Sequence, residues 1–278
     1  MKFLILLSIF FSAKSALAQS PIIATSINPV YQIVLAITQN KNNTILIMNS
    51  NASDHDWQFK KSDLETLNKA KIVFYIDDGF EKSFAKISKK TNSYQLSKTP
   101  QIKILQSRGD IKKKDFHLWL NPENAEKMAE FVAQKICEID EKNCLSYKEN
   151  LAVFKNEISK SVQEIKNKLR VADKQNYVFY HDAYQYFEDY FSLKPLSSIS
   201  KNHESYLTVR NLREFDEIAT SKKIKCLFGD VVDEKNSAQK LAENYQIKFA
   251  KLDPIGGDNV GYFRVLMNVA DEMWGCLK

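Results

Sequence analysis

The chain contains four histidines, His55, His117, His181 and His203. Three of them sit beside carboxylates in segments that read as strand ends or the loops that follow them. Asn51-Ala52-Ser53-Asp54-His55-Asp56-Trp57 comes after a strand-like run, and Asp115-Phe116-His117-Leu118-Trp119-Leu120-Asn121-Pro122 leads into a helix. Tyr180-His181-Asp182-Ala183-Tyr184 closes a third such run. Imidazole is a borderline-soft donor, and three imidazoles with one carboxylate form the tetrahedral N3O set that suits zinc. The neighbouring acids could hold the ring N–H groups and fix their orientation. Each histidine alone reads equally well as a surface or capped residue. The shared placement of three of the four favours a joint site. His203, within Lys201-Asn202-His203-Glu204-Ser205, lacks that setting and reads as a loop residue. No HExxH or paired-histidine helix is present, so spacing alone does not name an enzyme class.

The elements that must position these residues alternate between strand and helix. Strands are expected at Pro21 to Ser26, Thr44 to Met48, Lys71 to Ile76 and Ile102 to Gln106. Helices are expected from Pro29 to Thr38, from a capping box at Ser62-Asp63-Leu64-Glu65, and from Asn121-Pro122 to about Ile136. Such alternation gives a parallel sheet covered on both faces. Leu151, Phe154, Ile158, Val162, Ile165 and Leu169 then recur at spacings of three and four, the mark of one long amphipathic helix. Spanning Ser146 to Val171, it would be about 39 Å long, enough to pack on two lobes. Beyond it the alternation restarts. Strands are expected at Tyr177 to Tyr180, Pro195 to Ile199, Ile224 to Phe228 and Ile247 to Leu252. Helices are expected at Ala183 to Tyr190, Val209 to Thr220, Ala238 to Tyr245 and Gly261 to Trp274. The fold class is α/β: two parallel-sheet lobes joined by one long rigid helix, with the site in the interlobe cleft, where strand C-termini meet. The expected division is a signal peptide at 1–18, a first lobe at 19–145, the linking helix at 146–171 and a second lobe at 172–278.

Lys2 followed by the apolar run Phe3 to Ala13 and by Ala16-Leu17-Ala18 is a signal peptide with its cleavage site, too short to span a bilayer. No cysteine follows that run to carry a lipid, so the expectation is a soluble periplasmic protein without a membrane anchor. The formal charge is +6, or +4 once Lys2 and Lys14 leave with the leader. The lysines are scattered and lack interleaved aromatics, which argues against nucleic acid. Hydrophobic residues at 44% and charged residues at 27% exclude a wholly disordered chain. There are 7 glycines and no GxGxxG, and Gly256 and Gly261 are followed by Tyr262 and Phe263, where a phosphate loop needs Lys and Ser or Thr. Four cysteines in an exported chain suggest two disulfides. Of three connectivities, the sequence-local one, Cys137–Cys144 with Cys226–Cys276, is the expectation.

These segments resemble the zinc-specific periplasmic substrate-binding proteins of ABC importers, the ZnuA type of the cluster A-I (cluster 9) family. The resemblance covers nearly the whole mature chain. Ala52-Ser53-Asp54-His55-Asp56-Trp57, with Ser62-Asp63 downstream, is similar to A-S-x-H-D-Y/F…P-S-D. The most specific match is Asp115 to Pro122, close to D-x-H-x-W-L-x-P. His181-Asp182-Ala183-Tyr184-Gln185-Tyr186-Phe187 resembles H-D-A-Y-x-Y-F, and Leu252-Asp253-Pro254-Ile255-Gly256 resembles L-D-P-L-G. The resemblance implies two lobes on one rigid helix and Zn2+ as the transported ligand. It implies His55, His117 and His181 as metal ligands and a membrane permease of a zinc ABC importer as partner, with the receptor a monomer and not an enzyme. The fourth ligand is left open between Asp253, Asp54 and a water. Cys226 and Cys276 match a disulfide of zinc-specific members.

One feature departs from the family. Many members insert a long loop rich in histidine and acids in the first lobe, but the stretch from Asp77 to Asp115 has no histidine and is rich in lysine. Two alternatives stay open. A manganese or iron receptor could use the same scaffold, although imidazole at position 181 favours zinc. A zinc hydrolase would need three histidines and an open water position, with Asp54 or Asp253 as base.

Overall fold

The computed structural model describes residues 20–39, 41–48, 57–200, 208–231, 233, 236–257 and 261–278. His55, Asp54, His203 and the expected signal peptide lie outside the described residues.

The first sheet is built from β1 (Ile22–Thr25), β2 (Asn43–Leu46), β3 (Ile72–Tyr75) and β4 (Ser93–Gln95), in the order β2-β1-β3-β4, all parallel. The second contains β7 (Tyr177–His181), β8 (Ser197–Ser200), β9 (Cys226–Asp230) and β10 (Lys248–Leu252), in the order β10-β9-β7-β8, again all parallel. Read from the other edge, the second sheet has its second strand outermost, then its first, third and fourth. That is the order of the first sheet, so the two halves share one topology. In each, the first strand lies between the second and third. The chain therefore leaves in opposite directions from the first and third strands, and a crevice opens at their C-terminal ends.

Between the two sheets in sequence lies a segment that departs from the expected alternation. Ile102 to Gln106 is not a strand of the parallel sheet. Only β5 (Leu105–Gln106) is extended, and it pairs antiparallel with β6 (Lys114–Asp115). Ser107 closes the turn, its N–H donating to the Lys113 carbonyl at 2.9 Å. A short helix, α3 (Lys82–Ile87), and the three-residue β4 are too brief to leave an apolar period in the sequence.

The helices follow the apolar periodicity. α1 (Asn28–Thr38) carries Pro29 in its first turn, where the missing N–H costs nothing. α2 (Lys61–Lys69) starts one residue before Ser62, and its cap is Asp63 Oδ2 accepting the Lys60 N–H at 2.8 Å, not a Ser62–Glu65 box. α4 (Pro122–Ile139) is capped by Asn121, whose Oδ1 accepts from Glu123 N at 2.8 Å and Asn124 N at 3.2 Å. After it comes α5 (Cys144–Leu169), 26 residues without Pro or Gly. The second half adds α6 (Gln185–Phe191), α7 (Val209–Ser221), α8 (Ser237–Asn244) and α9 (Tyr262–Leu277).

α5 buries one stripe: Tyr147, Asn150, Phe154, Ile158, Val162, Ile165 and Leu169. Its N-terminal half packs on α1 and α4, and the helix also packs on α9. Tyr147 and Asn150 extend the stripe beyond the apolar residues. The Tyr147 hydroxyl donates to buried Asp140 at 2.6 Å, and the Asn150 amide donates to the Ile37 carbonyl at 2.8 Å. Further along, Phe154 meets Tyr262 and Phe263 of α9 at ring centroid separations of 5.6 and 5.0 Å. One hydrophobic core thus runs from the first sheet through α5 into the inner face of the second. A smaller one, around Val178, Ile199, Phe215 and Leu227, covers its outer face. The Cys137–Cys144 bridge ties the end of α4 to the start of α5, and Cys226–Cys276 ties β9 to α9, the sequence-local pairing.

Candidate metal centre

His181 is the last residue of β7 and Asp230 the last of β9, the first and third strands of the second sheet. The pairing Phe179 to Phe228 continues in step to these two positions, so the switch point itself places them together. Asp230 Oδ2 hydrogen-bonds His181 Nδ1, and its Oδ1 accepts the Tyr184 hydroxyl at 2.6 Å. Asp230 is buried, and so is Tyr184. Burial pushes the Tyr184 hydroxyl well above its ordinary range, and the Asp230 and Asp253 carboxylates add to the effect. It therefore stays a proton donor to Asp230 at any physiological pH.

His117 reaches the same crevice from the first lobe by another route. It follows β6, an antiparallel strand, and not the end of a parallel one as the alternation had implied. Asp115 Oδ1 accepts both the His117 backbone N–H at 3.0 Å and lies 2.7 Å from its Nδ1. The tight turn Leu118–Leu120 then buries Trp119 completely. Phe80 packs edge-on against the imidazole at 5.8 Å, and Trp119 lies at 5.3 Å. The His117 and His181 rings meet nearly perpendicular, with centroids 5.9 Å apart. Two imidazoles bound through nitrogen to one tetrahedral ion, at about 2.0–2.1 Å each, would have centroids roughly 5 Å apart. The observed pair is within an ångström of that spacing.

Each ring thus has its Nδ1 held by a buried carboxylate, the arrangement that fixes tautomer and orientation in metal-ligating histidines. For His117 the sequence neighbour Asp115 does this. For His181 the neighbour Asp182 does not. Asp182 turns instead to Arg108, whose Nη1 donates to its Oδ1 at 2.9 Å. The same guanidinium pairs with Glu188 of α6 and reaches Ser198 Oγ at 3.3 Å. Burial pushes the Glu188 carboxyl up to about 6, against the pull of Arg108. Asp182 is also raised, by burial first and in spite of Arg108. Arg108 lies in the β5–β6 hairpin of the first half, so this network joins the halves. Its near neighbours Lys103 and Gln106 do the same, through Asp189 at 2.6 Å and Gln185 at 3.2 Å.

Asp253 follows β10. Its Oδ1 accepts from Ile255 N at 3.0 Å and Gly256 N at 2.8 Å, which closes a tight turn. That turn is docked on the first lobe: Trp119 Nε1 donates to the Pro254 carbonyl at 2.7 Å, and Tyr262 donates back to the Trp119 carbonyl at 2.8 Å. Among the described residues no three His, Cys, Asp or Glu side chains group as a metal site. The set named from the sequence needs His55, which lies outside the described residues, as does Asp54. The structure brings His117 and His181 together. Asp230 and Arg108 were missed by sequence reasoning. Only the strand order, which puts β7 beside β9, shows that residue 230 serves residue 181.

The comparisons agree with this architecture. The family model described as ZnuA, zinc-uptake complex component A periplasmic, matches residues 23–276. The chain is 29% identical over 289 residues to the high-affinity zinc uptake system protein ZnuA of Haemophilus ducreyi, covering 92% of this chain and 93% of that one. It is 23% identical to the protein of the same name from Yersinia pestis, covering 93% and 92%. Among solved structures, a crystal structure of ZnuA superposes with a TM-score of 0.83 at 21% identity, over 94% of this chain and 100% of that one. The periplasmic zinc binding protein TroA from Treponema pallidum gives 0.81 at 17% identity, over 93% and 99%. With a family match that runs from within β1 into the last turn of α9, this chain belongs to the ZnuA family.

Proposed function

We propose that this protein is a periplasmic zinc receptor: it captures Zn2+ in the cleft between its lobes and hands it to the membrane permease of a zinc ABC importer. The observation that carries the reading is the pair His117 and His181, one from each half, facing at 5.9 Å with each Nδ1 on a buried carboxylate. With Nδ1 so engaged, Nε2 is the atom through which each ring would meet the ion. His55 supplies the third nitrogen in this reading and Asp253 the carboxylate, which makes a closed N3O shell. A closed shell leaves no position for an activated water, so the protein acts by binding and release and not by turnover. Three imidazoles favour zinc over manganese or iron(II), which take harder oxygen-rich sets. The high-affinity zinc uptake proteins to which the chain is similar bear names that fit the same cargo.

The division of the chain follows from this role. Residues 1–18 act as the export signal, 19–145 and 172–278 as the two lobes, and 146–171 as the strut that keeps them in register. In this reading all four ligands come from one chain, so the receptor works as a monomer and needs no second copy to complete its site. The test is metal analysis of the protein isolated from its native periplasm, followed by competition between zinc and manganese for the stripped protein. One equivalent of zinc, not displaced by excess manganese, is the expected result. Manganese as the retained metal would overturn the assignment of cargo.

A further inference from the structure

The turn that carries Asp253 follows β10 and so belongs by sequence to the second half, yet a side chain of the first half grips it. Asn28, the first residue of α1, points its Nδ2 at three successive carbonyls, those of Ile255 at 3.1 Å, Gly256 at 3.0 Å and Gly257 at 3.2 Å. Asn28 is buried, and its orientation is set within its own helix. Gln32, one turn on, donates from Nε2 to Asn28 Oδ1 at 3.0 Å. With the oxygen so occupied, the amide nitrogen must face the turn.

The turn needs such a grip. Gly256 has φ +77, and a Cβ there would come within 2.6 Å of Val265 Cγ2 and 3.3 Å of the Asn28 amide nitrogen. The N–H groups of Ile255 and Gly256 point inward at Asp253 Oδ1, while the carbonyls of residues 255–257 point outward at Asn28. Asp253 therefore has one carboxylate oxygen consumed by the turn. Among the described residues, no hydrogen-bond donor reaches the other, Oδ2.

We propose that Asn28 is a positioning residue for the metal site, clamping the 253–257 turn to the first lobe so that Asp253 presents Oδ2 to the ion from that side. This deepens the zinc reading and rests on Asp253 as the fourth ligand. It also revises the division of ligands expected from chain order. Asp253 then stands with His117 on the first lobe, and His181 is the ligand carried by the second sheet.

Asn28→Asp is nearly isosteric and turns the donor into a carboxylate facing three carbonyls, so the turn must open. Asn28→Ser keeps one donor on a shorter arm and serves if the aspartate variant does not fold. Zinc affinity is measured by chelator competition on wild type, Asn28→Ser, Asn28→Asp, Asp253→Ala and the double variants. The expected loss for either Asn28 variant is about 10- to 100-fold, the range for groups that orient a ligand. In the Asp253→Ala background the same Asn28 change should cost less than about twofold, because the ligand it positions is gone. Cobalt(II) absorption of the Asn28 variants should shift toward that of Asp253→Ala. Additive losses in the double variants, or an Asp253→Ala affinity equal to wild type, would overturn the proposal. The zinc reading would stand apart from that result, because it rests on loss of binding in His117→Ala.

Discussion

Arg108, in the hairpin between the lobes, forms a bidentate ion pair with Glu188, a buried residue on α6 of the second lobe, while its Nη1 also holds Asp182 beside His181. One guanidinium thereby ties a first-lobe loop to two carboxylates that have left water. Desolvation is the larger effect on Glu188, whose carboxyl is pushed up to about 6 from 4.5 in spite of the pair.

That shift fixes a pH dependence. Between about pH 4.5 and 6 the folded chain holds a proton on Glu188 that the unfolded chain has released. The stabilising contribution is therefore complete below about 4.5 and is lost as pH rises through about 6. The titratable and charged groups that act on Glu188 are Arg108, Asp182 and Asp115, and the Tyr177 hydroxyl feels its charge in turn. Urea unfolding of wild type and Glu188→Gln should show their stability difference moving in favour of wild type by about 2 kcal/mol on going from about pH 7.5 to 4.5. A difference that is flat with pH, or moves the other way, would show that burial does not dominate at this carboxyl.

Asp230→Asn tests the carboxylate that sequence inspection does not reveal. The amide preserves shape and keeps contact with Tyr184 but can no longer act as an anionic acceptor for His181 Nδ1. Zinc affinity should fall about 10- to 100-fold with little change in the metal-free fold. Asp182→Asn, next in sequence to His181 but turned toward Arg108, should cost less. The reverse ranking would assign the orienting role to the sequence neighbour after all.

The two disulfides should differ in their contribution to stability. Cys226–Cys276 closes a separation of 50 residues and Cys137–Cys144 one of 7. On the chain-entropy model their removal costs about 4 and about 2 kcal/mol. Paired Cys→Ser variants, compared by chemical unfolding without metal, should keep that order. Equal losses would point to strain or to residual structure in the unfolded chain.

Much of this was legible before the structure. The apolar runs at Lys71 to Ile76 and Ile224 to Phe228 and the stripe from Phe154 to Leu169 gave the strands and the strut, because burial on two faces or one leaves an unmistakable period. His117 and His181 stood out because few histidines flank carboxylates at such positions. What stayed hidden depends on contacts between distant segments. Asp230 meets His181 across 49 residues only because β7 and β9 are neighbours. Asn28 meets Gly256 across 228. The run Ile102 to Gln106 reads as a strand of the sheet but belongs in part to a hairpin, whose two paired residues on each arm are too few to set a period, although Gly109-Asp110 marks its turn.

Zinc loading should tighten the lobes without a wide swing. α5 has no Pro or Gly to act as a hinge, and one core is continuous through it. Solution scattering should give nearly the same radius of gyration with and without zinc. The melting temperature should rise, by an amount that reflects about 4 kcal/mol at a thousandfold excess over Kd. A large compaction would contradict the rigid strut.

The most direct test of the interlobe site is calorimetric titration of metal-stripped protein with zinc, in wild type, His117→Ala and His181→Ala. Wild type should bind about one equivalent, as a single N3O shell requires. Each variant should lose affinity by orders of magnitude while its metal-free melting temperature stays close to wild type. Unchanged affinity in either variant would contradict an ion held between these two rings.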